Sequence, residues 1–289
     1  MPLIRPATRG DRDSITGFCR NTFDWGDYIE EVIDGWLDSS EGVLLTALHE
    51  GRPAGIARVV MITPREAWFE GLRVDKEFRR LGLGAALTAA CIQEARQRGA
   101  EVAMMAVDAC NAASLRLSER AGFRCIARFR EMGISGARGA QARCGPEAGV
   151  RLATTDDVPA LETLFQSVEP GGLVFVNWEV VRWGPEIVRD IIERSRLWVF
   201  DSGSGPCAAA LVKPEEGALE VSSLCGYPQG MEQILRSAGH FAALHSCGRA
   251  YLWCLEGGAD ERAAVSAGCV DSATGEAGDG LLLLEMRLD

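Results

Sequence analysis

The sequence predicts an α/β protein built from two similar halves. Three observations carry this reading: the chain length, a run of sequence that returns midway, and the order of elements after each copy. At 289 residues the chain is long enough for two domains of about 150 residues each. The opening Ile4-Arg5-Pro6-Ala7-Thr8-Arg9-Gly10-Asp11 returns as Val150-Arg151-Leu152-Ala153-Thr154-Thr155-Asp156-Asp157. Each copy reads as a short strand entering a polar helix start.

The elements that follow also match. In the first half, residues Tyr28 to Leu37 read as a helix. Leu44 to Leu48 and Gly55 to Met61 read as a hairpin closed at His49 to Pro53, and Ala67 to Val74 as a further strand. In the second half, Asn177 to Ile192 reads as the helix. Leu197 to Phe200 and Cys207 to Val212 form the hairpin, closed at Asp201 to Pro206, and Ala218 to Leu224 is the strand. A repeat of this length means duplicated domains rather than a solenoid of short units. Gly133 to Gly149, rich in glycine and alanine without sustained periodicity, reads as the connector and sets domains at 1–140 and 150–289.

Composition narrows the function. With 47% hydrophobic and 25% charged residues, the chain is an ordinary globular protein. Its longest apolar runs, such as Leu281 to Leu284, fall far short of the roughly 20 residues that cross a bilayer, so no membrane partner is expected. A formal charge of −11 repels a phosphate backbone, which argues against a nucleic-acid partner and favours cationic small molecules. Ten cysteines are scattered without a C-x-x-C pair, and there are three histidines, so no metal is expected. The thiols read as small buried hydrophobes. The start Met-Pro-Leu-Ile-Arg lacks a signal peptide's apolar stretch, which with reduced thiols implies a cytoplasmic protein.

The chemistry is written in Trp68 to Leu87: a strand, a basic glycine-bearing turn, then a helix. Leu83, Leu87, Ala90 or Cys91, and Ala95 recur at helical spacing, and Gly99 stands where a C-terminal cap belongs. Unpaired N–H groups and the helix dipole make the N-terminus of that helix an anion site, and its glycines allow close approach. A P-loop would need Gly-Lys followed by Ser or Thr, and a dinucleotide fold would need G-x-G-x-x-G straight after its strand. Neither is present.

Arg79-x-x-Gly82-x-Gly84 instead resembles the pyrophosphate turn of the GCN5-related N-acetyltransferase (GNAT) superfamily. The next strand, Glu101 to Val107, and the block from Asp108 to Phe123 resemble that superfamily too. The block has Asn111 at a helix start, Ser114 three residues later and a closing Gly122-Phe123. The resemblance implies two tandem GNAT-like domains, each a mixed, mostly antiparallel central sheet flanked by helices. In the second half, Cys225-Gly226-Tyr227-Pro228-Gln229-Gly230 replaces the turn, with no arginine and a proline that removes a donor, so a degenerate module without cofactor is expected there. Ala267-Gly268-Cys269 looks like a faded Ala121-Gly122-Phe123, and Gly280 to Leu288 like a final strand.

By the same resemblance, the activity is acetyl transfer from acetyl-CoA, a co-substrate, to a primary amine of a small molecule or peptide. The amine attacks directly in a ternary complex. Glu70, on the fourth strand, would take the amine's proton. Leu72, Arg73 and Val74 would line the pantetheine arm, where a backbone N–H can stabilise the thioester oxygen. Arg79, Arg80, Leu81, Gly82, Leu83, Gly84 and Ala85 would hold the pyrophosphate, and Asn111 and Ser114 the cofactor's arm. Many members carry a tyrosine where this chain has Ser118, so no general acid is assigned, although Tyr28 could substitute if its helix folds over the site. Trp25, Asp27 and Tyr28 are the expected acceptor contacts, suited to a cationic, partly apolar amine. The protein is expected as a monomer or homodimer. The competing class is a non-catalytic acyl-CoA-binding sensor or assembly module.

Overall fold

The computed structural model describes residues 2–20, 22, 26–134, 149–168, 172–176, 179–182, 184–194, 197–215, 217–245, 247–271 and 280–288. It divides into two compact units. One comprises Met1–Val107, Asn111–Cys125 and Leu284–Asp289, the other Asp108–Cys110 and Ile126–Leu283.

The first unit runs β1 (Leu3–Pro6), α1 (Arg12–Cys19), α2 (Ile29–Asp38), β2 (Gly42–His49), β3 (Arg52–Thr63), β4 (Glu66–Val74), α3 (Leu83–Gln97), β5 (Val102–Asp108) and α4 (Ala112–Ala121). Strands β1 to β4 pair antiparallel in order, and β5 adds parallel to β4, giving a mixed sheet. Glu50 and Gly51, both at positive φ, close the β2–β3 hairpin; such two-residue turns match the strand twist. Ile15, Cys19, Ile29, Ile33, Leu44 and Ile56 form one buried cluster that docks α1 and α2 on the strands. Burying each large aliphatic side chain contributes about 1.5–3 kcal/mol.

In the second unit the chain passes through β6 (Arg124–Gly133), β7 (Val150–Leu152), α5 (Val158–Gln166), β8 (Leu173–Val176), β9 (Glu179–Arg182), α6 (Pro185–Arg194), β10 (Leu197–Asp201) and β11 (Pro206–Glu215). It continues with β12 (Ala218–Gly226), α7 (Pro228–Leu244), β13 (Arg249–Leu255), α8 (Ala259–Ser266) and β14 (Val270–Asp271). The last strand, β15 (Leu281–Arg287), carries residues of both units. Strands β7, β10, β11 and β12 pair antiparallel in that order, and β13 adds parallel to β12. This repeats β1 to β5. The strand after α4 does not follow the first unit: β6 pairs with β13, while Leu288 N–H donates to Glu101 O at 2.8 Å in the first unit.

The sequence repeat is matched bond for bond. Arg5 donates to the Asp11 carboxylate at 2.7 and 2.8 Å, and Arg151 to Asp157 at the same two distances. Thr8 and Thr154 each add their backbone N–H at 2.8 Å. The arginine hydrogen bond holds Asp11 well below the carboxylate range and Asp157 at about 2.

One expected element differs. The helix expected over Asn177 to Ile192 begins only at Pro185, and β9 pairs with β8 instead. Val180 and Val181 face Phe175 and Val174, and β-branched and aromatic residues suit a pleated surface, whereas proline suits a helix's first turn. Asn177 itself lies outside the described residues, as does most of the expected connector. Among the described residues, no cluster of metal-ligating side chains occurs and no helix is long and apolar enough to cross a membrane.

Candidate active site

The site is built on an irregularity in β4. Its register with β3 steps from Arg58↔Glu70 to Ile56↔Arg73, so Gly71 and Leu72 together oppose Ala57. A bulge of this kind bends the strand and re-aims its side chains. Gly71 sits at φ +66°, and a Cβ there would lie 2.6 Å from the Trp36 ring, so only glycine fits. On the other edge the parallel ladder to β5 runs from Glu66↔Val102 to Trp68↔Met104 and ends there. Beyond it, toward Val74, β4 and β5 are no longer bonded.

Straight after β4, Asp75 caps a short 3₁₀ turn by accepting from Glu77 N at 3.0 Å. Arg79 follows in extended conformation, its Nε reaching Val74 O at 3.4 Å. Arg80 and Gly82 then take left-handed φ values of +67° and +79°. For arginine that conformation costs about 1 kcal/mol, a strain typical of functional turns. The first helical bond of α3 is Ala86 N to Gly82 O at 3.0 Å, which leaves the N–H groups of Leu83, Gly84 and Ala85 without intrahelical acceptors. Leu83 is buried and anchors the turn, while Arg79, Arg80, Leu81 and Gly82 are exposed. A Cβ on Gly84 would lie 3.3 Å from Leu117, so glycine lets α3 approach α4 closely. Neither Arg79 nor Arg80 forms an ion pair among the described residues, so the turn offers two guanidinium groups and a helix N-terminus to an anion.

On the helical side of the bulge lies a charged and aromatic cluster. Glu70 Oε1 accepts from Arg58 Nη1, with Arg58 9% and Glu70 20% exposed. The Arg58 guanidinium stands 5.2 Å over the Trp36 ring. Its Nε is buried without a partner among the described residues. Next along β4, Arg73 grips Asp27 through Nε and Nη2 at 2.7 and 3.2 Å, and also donates to Leu72 O at 3.2 Å. Burial works against the Arg73 cation, but Asp27 and Tyr28 outweigh it and hold Arg73 above its ordinary range. Arg73 also stands 5.3 Å over the Tyr28 ring, and Tyr28 meets Trp36 edge-on at 6.1 Å. Burial pushes the nearby Cys19 thiol up to about 12, so it is no nucleophile.

The structure therefore gathers Glu70, Arg73, Asp27 and Tyr28, and pairs two of them with each other. The side chain of Arg73 faces Asp27 rather than a cofactor, which leaves its backbone, with Leu72 and Val74, for that contact. Asp27, 1% exposed and doubly bonded, is not open to an acceptor. Trp25 lies outside the described residues. Asn111 caps α4 by accepting from Ser114 N at 3.1 Å, so these two groups satisfy one another. Ser118 is buried and donates to Met105 Sδ at 3.2 Å, which removes it as an acid. Sequence reasoning missed Arg58 and Trp36. The signal was available: Arg58 stands alone among Ile56, Ala57, Val59 and Val60, and a charge in such a strand needs a partner.

The second unit repeats the irregularity with a different outcome. The register of β11 on β12 steps from Leu211↔Ser222 to Ala209↔Cys225, and Ser223 takes φ +54° where Gly71 stands in the first unit. The parallel ladder to β13 ends at Val221↔Leu252. Here β8 occupies the gap: Phe175 N donates to Ser223 Oγ at 2.8 Å, and Phe175 O accepts from Ser222 and Ser223 at 3.1 Å. The Phe175 ring, 2% exposed, lies 5.7 Å from Phe129 and 6.0 Å from Trp253. Helix α7 then opens on Tyr227-Pro228, with no arginine.

The first unit thus joins a bulged strand, an interrupted parallel ladder and a basic turn on a helix N-terminus. Residues 13–123 match the acetyltransferase (GNAT) family. No curated protein matches the sequence. A tandem GNAT protein from the clavulanic acid biosynthesis pathway is 13% identical with a TM-score of 0.64, over 100% of this chain and 99% of that one. A GCN5-related N-acetyltransferase from Sphaerobacter thermophilus is 18% identical with a TM-score of 0.65, over 99% and 96%. Another, from Kribbella flavida, is 16% identical with a TM-score of 0.56, over 100% and 72%. At these identities the likeness is one of fold.

Proposed function

We propose that the first unit transfers the acetyl group of acetyl-CoA to a primary amine, and that the second binds no cofactor. The observation that carries this reading is the turn from Arg79 to Ala85, whose strained Arg80, two guanidinium groups without an ion pair among the described residues and open helix N-terminus fit a diphosphate. The arm of the co-substrate would then follow β4 where its ladder to β5 has ended, which brings the thioester toward Glu70.

In the reaction, the amine lone pair forms a bond to the thioester carbonyl carbon while the carbon–sulfur bond breaks. Sulfur leaves as thiolate and takes a proton from water. Glu70, directly or through a water, removes the proton that the attacking nitrogen sheds. A backbone N–H of the bulge from Leu72 to Val74 stabilises the oxygen as it gains charge. The chain needs no acid for the leaving group, because a thiol's pKa of roughly 8.5 makes its thiolate a tolerable leaving group near neutrality. Arg58 fixes one Glu70 oxygen and leaves Oε2 for the amine.

The test is thiol release from acetyl-CoA with a panel of amines, comparing the natural protein with Glu70→Gln. Loss of a general base lowers turnover by about 10²–10⁴. The rise in melting temperature on adding CoA should survive the substitution, because the turn is untouched. A thermal shift without amine-dependent release in the natural protein would establish the non-catalytic acyl-CoA-binding module instead.

A further inference from the structure

Resting on that reading, we infer that the acceptor is a monoamine carried on an apolar or aromatic group, rather than a polyamine or an aminoglycoside. Among the described residues, the groups beside Glu70 that could receive a cation are two carboxylates and two aromatic rings, and each already holds a guanidinium of the chain itself. Both Asp27 oxygens are bonded by Arg73, and Oδ1 also accepts from Ile29 N at 3.2 Å. Glu70 Oε1 is bonded by Arg58. Arg58 stands over Trp36 and Arg73 over Tyr28, so each ring has a face covered by a cation. The two arginines and two carboxylates sum to zero charge. Among the described residues of this cluster, one anionic oxygen is left without a partner, Glu70 Oε2.

That count suits one ammonium and no second. The reacting nitrogen can approach Glu70 Oε2 and lose its proton there. A further cation a few bonds away would lose water beside two guanidinium groups and gain no carboxylate in return. What remains is apolar: Tyr28, 37% exposed, meets Trp36 edge-on and presents ring surface to an incoming molecule. Such a wall gains from an aryl or alkyl carrier and nothing from a polar one.

The experiment measures kcat/KM by thiol release for phenethylamine and phenylalanine amide against spermidine and kanamycin, with saturating acetyl-CoA. The aryl monoamines are expected to lead by about tenfold or more. Tyr28→Ala, at an exposed position, is expected to raise KM for phenethylamine several-fold while kcat changes less. Spermidine or kanamycin equalling the monoamines overturns the inference, as does an unchanged KM in Tyr28→Ala. Release with none of the amines overturns the transferase reading itself, and the CoA thermal shift then tells whether binding survives without it.

Discussion

The two units carry the same strand order and the same irregularity in the fourth strand, yet among the described residues only the second bonds a further strand, β8, against it. At Gly71 the backbone turns left-handed because Trp36 packs where a side chain would be. At Ser223 it turns left-handed with a side chain present, and the hydroxyl is used to hold Phe175. One duplicated bulge thus serves two ends: aiming Glu70 and Arg73 toward a cluster, or bonding a neighbouring strand into the gap.

The sharpest way to break this comparison is to empty the gap. Phe175→Ala removes a ring enclosed by Phe129 and Trp253, and a buried phenylalanine cut to alanine costs about 3–5 kcal/mol. Denaturant unfolding should show that loss, whereas titration with CoA should still give one equivalent per chain. The turn before α7 has Pro228 and no arginine, so space alone does not restore phosphate binding. Two equivalents in the variant would mean that the ring, and not the turn, decides.

Much of the first half was legible in the sequence. The turn from Arg79 to Ala85, helix α3, the cap at Asn111 and the Gly122-Phe123 close are local features, each set by residues a few positions apart. What the sequence hid is non-local. Arg73 meets Asp27 across 46 positions, and Arg58 meets Glu70 only because β3 and β4 share a rung at the bulge. The strand β9 was hidden for another reason: its valines sit in a stretch whose tryptophan and later periodicity suit a helix equally well. That Phe175 fills the second gap depends on a 48-residue reach to Ser223, which no spacing rule encodes.

A second comparison between the units concerns their acids. Asp11 in the first and Asp157 in the second are both lowered by a hydrogen bond from an arginine. In the second, burial and then Glu215 push Glu220 up to about 7, and burial pushes Asp260 to about 6 against the bonds from Leu255 and Glu261. The Tyr251 hydroxyl lies 2.9 Å from Glu215 and 3.2 Å from Glu220, and its single proton cannot serve both at once. Lys213, Arg249 and Glu131 complete the surroundings. Both acids titrate higher folded than unfolded, so the folded state holds more protons between about pH 4 and 7. Their stabilisation is complete below pH 4 and is lost as the pH rises to 7. Urea unfolding from pH 5 to 8 should show this decline. Glu220→Gln should flatten it, gaining at most about 3 kcal/mol on the natural protein at pH 8. An unchanged slope would mean that Glu220 is ionised throughout.

The smallest effect sharpens the comparison most, because it separates function from stability at one residue. Arg80 holds φ +67°, which glycine adopts without cost, so Arg80→Gly should raise the melting temperature of the ligand-free protein by relieving up to about 1 kcal/mol. The same change removes a guanidinium from the proposed phosphate site, and CoA affinity should fall about tenfold, or 1.4 kcal/mol. Tyr227, the N-cap of α7 as Gly82 is of α3, has φ −73°, in the range that any residue adopts. Tyr227→Gly should therefore bring no gain in stability and no change in CoA affinity. If Arg80→Gly stabilises the fold and leaves CoA binding intact, the strained turn has some purpose other than gripping a diphosphate. If it destabilises the fold, the arginine is held there by packing rather than by function.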